Sequence, residues 1–204
     1  MSKESILLVG AGGHARACID VIEQEGCFVV KGLVGLPCEV GSRILGYPVL
    51  GVDEDLPALL GNCSNALIAV GQIKTPEPRI RLSDVMQNNS CILPVIVSPH
   101  AYVSPHSTLG AGTIVMHGAI INAGAVVGKS CIVNSLALVE HDVVIADHCH
   151  IATAATINSG VHIGKGTFLG SNSSVRQCIK IGERCLIGMS QQVLVNCEAG
   201  VCMP

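Results

Sequence analysis

A chain of 204 residues has room for one large domain or two small ones. Its net charge of −3, with 13% charged residues and no Lys/Arg cluster, excludes the electrostatic footprint that nucleic acid requires. With 49% hydrophobic but only 2% aromatic residues and no Trp, the core has to be filled by Val, Ile, Ala and Cys, which suits narrow, repetitive packing.

The chain opens on an apolar run, Ile6-Leu7-Leu8-Val9, too short for a signal peptide and lacking its cleavage pattern. No run of about twenty apolar residues predicts a membrane span, so the expected location is cytoplasmic. The run reads as a buried strand, followed by the turn Gly10-Ala11-Gly12-Gly13 and a helix from about His14 to Gln24. A second strand is expected around Phe28–Val30 and another at Ala66–Val70, ending in Gly71. After Pro76-Glu77-Pro78-Arg79 a further helix is expected near Ile80–Met86. Alternating strands and helices predict a small α/β, Rossmann-like domain over residues 1–92 with a parallel sheet.

The grammar then changes for residues 93–204. Stepping by six from Val97 to Val193 gives seventeen positions, and every one is Val, Ile or Leu. Chance alignment of that kind is on the order of one in a billion. Four residues after each aliphatic comes a second column of mostly small residues, including Ala119, Cys131, Ala137, Cys149 and Cys185. One large and one small inward position per hexad is the repeat of a parallel β-helix, three hexads to a triangular coil. Five to six coils at about 4.8 Å each predict a prism roughly 27 Å tall. The unbroken register leaves no room for an inserted loop between Val97 and Val193, so chemistry must sit on faces and edges or between prisms.

Residues that break the columns carry the information. In Asn134-Ser135-Leu136-Ala137-Leu138-Val139-Glu140-His141-Asp142, three polar residues follow inward Val139. His141 is expected to point outward near an edge between two carboxylates, with His148 and His150 close behind on the next face. An imidazole, with an ordinary pKa of about 6.5, beside a carboxylate can deprotonate an amine or hydroxyl near neutral pH. The alternative is a surface histidine in a polar patch.

The segment Asn134–Asp142, with His150 nine residues after His141, resembles the active-site stretch of bacterial sugar acetyltransferases of the PglD and NeuD type. The amino-terminal Val9-Gly10-Ala11-Gly12-Gly13-His14-Ala15 is similar to their sugar-nucleotide loop, and Gly46–Gly51 and Ala69-Val70-Gly71 also fit, so the resemblance spans nearly the whole chain. It implies a left-handed β-helix and an acetyl-CoA-dependent enzyme. His141 would be the general base, Asp142 the carboxylate tuning it, and Asn134 and Glu140 supporting groups. His150 would contact acetyl-CoA, Ser171 and Met189 would line the pantetheine groove, and the backbone near Ser159 would receive the thioester oxygen, where the family commonly has Gly. Gly12, Gly13, His14 and Gly71 would hold the sugar nucleotide. Where the family carries paired aspartates, this chain has Gly32-Leu33-Val34-Gly35-Leu36-Pro37 without an acid, and it stops at Pro204, before the family's usual final strand and Pro-Ala-Lys tail.

The residues support the same chemistry independently. An acetyl thioester is already activated, so transfer needs a base, an oxyanion donor and an apolar groove. The eleven Cys, an odd number without a C-x-x-C pair, read as small buried thiols rather than disulfides, zinc ligands or nucleophiles. His100 and His106, one hexad apart, diverge by a third of a turn, and no metal is expected. A Gly-x-Gly-Gly turn can cradle a phosphate at a helix start or can serve packing alone, and the missing acid after the second strand argues against NAD. The readings that remain are N-acetylation of a nucleotide-activated amino sugar for glycan or lipopolysaccharide synthesis, O-acetylation of a sialic-acid-like sugar, and a non-catalytic sugar-nucleotide-binding β-helix protein. Flat apolar faces on the prism predict a homotrimer.

Overall fold

The computed structural model describes residues 3–204. These divide into two compact units, one comprising the chain up to Gly71 together with Glu77–Ile96, the other Gln72–Pro76 together with Val97–Pro204.

In the first unit, β1 (Glu4–Val9) leads through the glycine turn into α1 (Gly13–Glu25), then β2 (Phe28–Val34), β3 (Arg43–Ile44), β4 (Tyr47–Gly51), α2 (Leu56–Leu60), β5 (Asn65–Ile68) and α3 (Glu77–Asn88). Among the described residues these form a five-stranded sheet in the order β3-β4-β2-β1-β5. It is parallel except for the edge pair β3–β4, whose short antiparallel turn the apolar pattern of the sequence did not reveal. Helix α1 buries Ala15, Cys18, Ile19 and Ile22 at three- and four-residue spacing, and Gly26 ends it in the left-handed conformation with its N–H on the Ile22 carbonyl. Burial pushes the Cys18 thiol up to about 12 despite the nearby Arg79, so it stays protonated.

In the second unit a two-residue strand recurs every six residues from Ile96–Val97 to Gln192–Val193, and each up to Ser174–Val175 pairs in parallel with the strand eighteen residues on, as in Ile120–Ile121 with Leu138–Val139. Val97 to Val193 are the second residues of these strands, and from Val115 onward all are buried along one continuous core. This is the parallel β-helix that the hexad pattern predicts, left-handed as the resemblance implies. Its edges have a conformational signature: one residue every six from Gly112 to Ser190 has positive φ. Left-handed backbone strains side chains with a β-carbon, and Gly, Asn and Asp tolerate it best. Asp142 occupies one such position with φ 59°.

The small column carries a second, eighteen-residue pattern. Thr113, Cys131, Cys149, Thr167 and Cys185 stack behind one edge, and each donates its side-chain hydrogen to a backbone carbonyl. Cys149 reaches Gly164 O at 3.1 Å and Thr167 reaches Gly182 O at 2.8 Å. Thiol and hydroxyl are interchangeable here because both are short and both donate to a backbone carbonyl. Burial raises the Cys149 thiol well above its ordinary value, with Cys131 adding to the effect, so it acts as a donor and not as a nucleophile. Cys149→Val keeps shape and loses the donor, whereas Cys149→Thr keeps both. Equilibrium unfolding is expected to find the Val variant less stable than the Thr variant by about 1–3 kcal/mol, and equal stabilities would contradict the ladder.

Candidate functional site

The candidate residues fall into two sets, one in each unit. In the β-helix, strand Leu138–Val139 runs into the edge that bears His141 and Asp142. Both side chains are exposed, at 60% and 71%, and His141 Nδ1 lies 2.8 Å from Asp142 Oδ2. An ionised carboxylate only accepts, so Nδ1–H is the donor and the free Nε2 carries the lone pair that can take a proton. Directly below, Gly124 has no β-carbon, and one placed there would collide with Asp142 Oδ1, so the glycine makes room for the carboxylate. Glu140 is fixed by a residue that column-breaking chemistry did not single out: Asn122 Nδ2, one coil below, donates to Glu140 Oε2 at 3.0 Å. The His141 N–H approaches the same oxygen at 3.4 Å.

One coil above His141 sits Ser159, and the Gly160 N–H donates to the His141 carbonyl at 3.1 Å. The Ser159 N–H makes no hydrogen bond among the described residues, which leaves a backbone donor open beside the base. Ser171 and Met189 occupy successive coils of a different edge, linked by Ser190 N–H to Ser171 O at 2.9 Å, and Met189 is 72% exposed. That edge and the His141 edge flank the face carrying Leu138, Thr156 and Ser174.

His150 lies elsewhere than the sequence suggested. His148 occupies the next edge after His141, and His150 lies on the face beyond it, buried at 7% exposure. The carbonyl of Gln72 accepts from His150 Nδ1–H at 2.6 Å, so Nε2 is the acceptor, and Asn134 Nδ2 approaches it at 3.4 Å. Phe168 packs edge-on against the ring at 5.2 Å. Asn134 thus groups with His150, not with the base. The segment holding Gln72 also donates from the Gln72 side chain to Gly166 O at 3.2 Å.

Among the described residues no three His, Cys, Asp or Glu side chains gather as a metal site. His100 meets His117 on the next coil, ring centroids 5.6 Å apart, rather than His106.

In the first unit, the glycines of the turn prove unequal. Gly10 has φ +121°, and a β-carbon there would lie 2.8 Å from Ala69 C and Val70 N, so packing alone demands glycine. At Gly12 and Gly13 a β-carbon would meet nothing within 4 Å, so packing explains neither. A β-carbon on Gly71 would lie 3.7 Å from His14 Cβ, which brings Gly71 and His14 to one end of the sheet beside the turn. Behind them is Arg79, 1% exposed, whose guanidinium donates to Ile68 O at 2.9 Å and Val70 O at 2.6 Å. A lone arginine in a Pro-rich segment gave no sign that it would be buried as the clamp of this loop. Glu39, in the short 3-10 turn Pro37–Glu39, is also close by.

A family model described as the PglD N-terminal domain matches residues 5–81. Among curated proteins none matches significantly. Perosamine N-acetyltransferase from Caulobacter crescentus, solved with CoA and GDP-perosamine, is 30% identical with a TM-score of 0.92, the match covering 98% of this chain and 93% of that one. The chain belongs to the PglD-type sugar acetyltransferases. The acetyltransferase domain of PglB from Neisseria gonorrhoeae, solved with acetyl coenzyme A, is similarly alike in fold to this PglD-type chain, at 25% identity and a TM-score of 0.87 over 98% of this chain and 96% of that one.

If the open glycines serve a ligand, stability and binding should separate. Gly13→Ala, at the first helical position of α1, is expected to leave the fold as stable as before or up to about 1 kcal/mol more stable while raising the KM for the acceptor. Gly10→Ala should instead destabilise. A Gly13→Ala enzyme with unchanged acceptor KM would return the turn to packing alone.

Proposed function

We propose that this PglD-type enzyme transfers the acetyl group of acetyl-CoA to the amino group of a nucleotide-activated amino sugar, as a step of glycan or lipopolysaccharide synthesis. The observation that carries the reading is the 2.8 Å His141 Nδ1–Asp142 Oδ2 pair on an exposed edge, which leaves Nε2 free as a base. The GDP-perosamine and CoA bound by the Caulobacter relative support the acceptor and donor classes.

His141 takes a proton from the attacking amine as the nitrogen lone pair adds to the thioester carbonyl. The new C–N bond forms, and the carbonyl oxygen gathers negative charge that the Ser159 N–H is free to stabilise. Collapse breaks the C–S bond, and the CoA thiolate takes the proton back from the His141 imidazolium. The first proton of the original ammonium goes to solvent. Asp142 keeps Nδ1 protonated throughout and stabilises the imidazolium. Glu140 supports the arrangement, Ser171 and Met189 line the pantetheine arm, and His150, with Asn134 beside it, shapes the donor side. Gly12, Gly13, His14 and Gly71 hold the sugar nucleotide where β1 ends and α1 begins.

The base lies on one edge of the prism and Ser171 with Met189 on another. This supports a trimer, in which a cyclic neighbour supplies the donor-side edge to each base. The face between those edges exposes Tyr102 and Ile120 on successive coils, which also favours a partner copy. The setting we favour is the reducing cytoplasm, where the unpaired thiols persist. Among the described residues no helix is long and apolar enough to cross a membrane.

His141→Ala is expected to abolish most transfer while acetyl-CoA affinity stays within a few fold, and Asp142→Asn should be milder. Near wild-type turnover in His141→Ala would defeat the assignment of the base. Light scattering is expected to give a trimer, and a stable monomer at micromolar concentration would sink the intersubunit site.

A further inference from the structure

Gly32–Pro37 holds no acid, and Glu39 follows two residues later. Strand β2 ends at Val34, whose carbonyl accepts from Gly10 N–H at 2.8 Å, so the end of β2 lies against the glycine turn. The chain then makes the 3-10 turn Pro37–Glu39, and Glu39 folds back so that its Oε2 accepts from Leu36 N–H at 2.8 Å. Its backbone is held from the other side, with Ser42 N–H donating to Glu39 O at 3.0 Å. The carboxylate reaches over Gly35: a β-carbon placed there would lie 2.7 Å from Glu39 Oε2 and 2.8 Å from the Ala11 β-carbon. Glycine at 35 therefore lets the carboxylate lie beside the turn. Glu39 is half-buried, and its Oε1 has no hydrogen bond among the described residues.

We propose that Glu39 binds the ribose of the nucleotide, its open oxygen accepting hydrogen bonds from the sugar's hydroxyl pair; this rests on the reading of the Gly10–His14 turn as the nucleotide site. The physical argument is general to strand–turn–helix nucleotide sites. When phosphates meet the helix start after the first strand, the ribose extends toward the end of the neighbouring second strand, and an acid there pairs with its hydroxyls. Here that acid comes from a turn, not from the strand itself. One oxygen is spent on fixing the side chain, so the other is presented with little rotamer freedom left to lose. The acceptor class that follows is a ribonucleotide-activated sugar, with 2′-deoxyribonucleotide-activated sugars disfavoured.

Calorimetric titration of the full chain with UDP, 2′-deoxy-UDP, GDP and 2′-deoxy-GDP tests this without knowledge of the sugar. The wild-type protein is expected to bind at least one ribonucleotide roughly tenfold or more tighter than its deoxy form, the scale of one hydrogen bond to a charged group. In Glu39→Gln the side-chain carbonyl still caps Leu36 N–H, so Tm should not change, while the preference for ribose should vanish. Equal affinity of the wild type for ribo and deoxy forms, or a ribose preference that survives in Glu39→Gln, would overturn the assignment of Glu39 alone. Failure of all four nucleotides to bind would overturn the nucleotide reading of the turn and the ribose assignment with it.

Discussion

Stacking at intervals of eighteen residues is the constraint on which the β-helix depends. Each parallel pair, such as Val139 with Ile121 below and Ile157 above, forces one aliphatic side chain inward per hexad and leaves the interior without space for a polar site. Polar groups are thereby pushed to the faces and edges, and a left-handed turn recurs at each edge, three to a coil. His141 and Asp142 lie at one such edge, and their adjacency in sequence is what lets a carboxylate reach its neighbour's imidazole with no help from any other element. The coil below contributes through absence, since Gly124 leaves space for the carboxylate.

The same stacking fixes side chains that lie one coil apart in space and eighteen residues apart in sequence. Asn122 holds Glu140 in this way, and the Thr/Cys ladder satisfies a row of carbonyls along one edge. In the sheet unit the equivalent constraint is the crowding of strand ends. Gly10 must be glycine because Ala69 and Val70 pass so close, and the buried Arg79 ties that passing segment down. Packing therefore accounts for Gly10 but not for Gly12 and Gly13, where a β-carbon would meet nothing within 4 Å.

The hexad period made the prism legible from Val97 to Val193 because every coil obeys one rule and nothing interrupts it. The His141–Asp142 edge was legible for the same reason: polar residues stand out against a strict column. What stayed hidden has period eighteen or arises from a local turn. The ladder of Thr113, Cys131 and Cys149 passes for merely small residues when read at period six, and its hydrogen bonds emerge only when every third hexad is compared. His150 was expected one face too early because nine residues span one and a half hexads, and its true partner, the Gln72 carbonyl, is seventy-eight residues away. Glu39 lies beyond the Gly32–Pro37 segment, although Pro37 at the start of a turn and Glu39 at its third position form a local capping signal.

The central claim is that this edge delivers acetyl groups to an amine on a nucleotide sugar. It is tested most directly by incubating the protein with acetyl-CoA and GDP-perosamine or other nucleotide amino sugars, against matched nucleotide sugars bearing a hydroxyl at the same carbon, and following free CoA thiol together with the product by NMR. The account predicts thiol release with an amino sugar and an amide as the product. Release only with the hydroxyl sugars to give an ester, or no release with any of the nucleotide sugars, would contradict it.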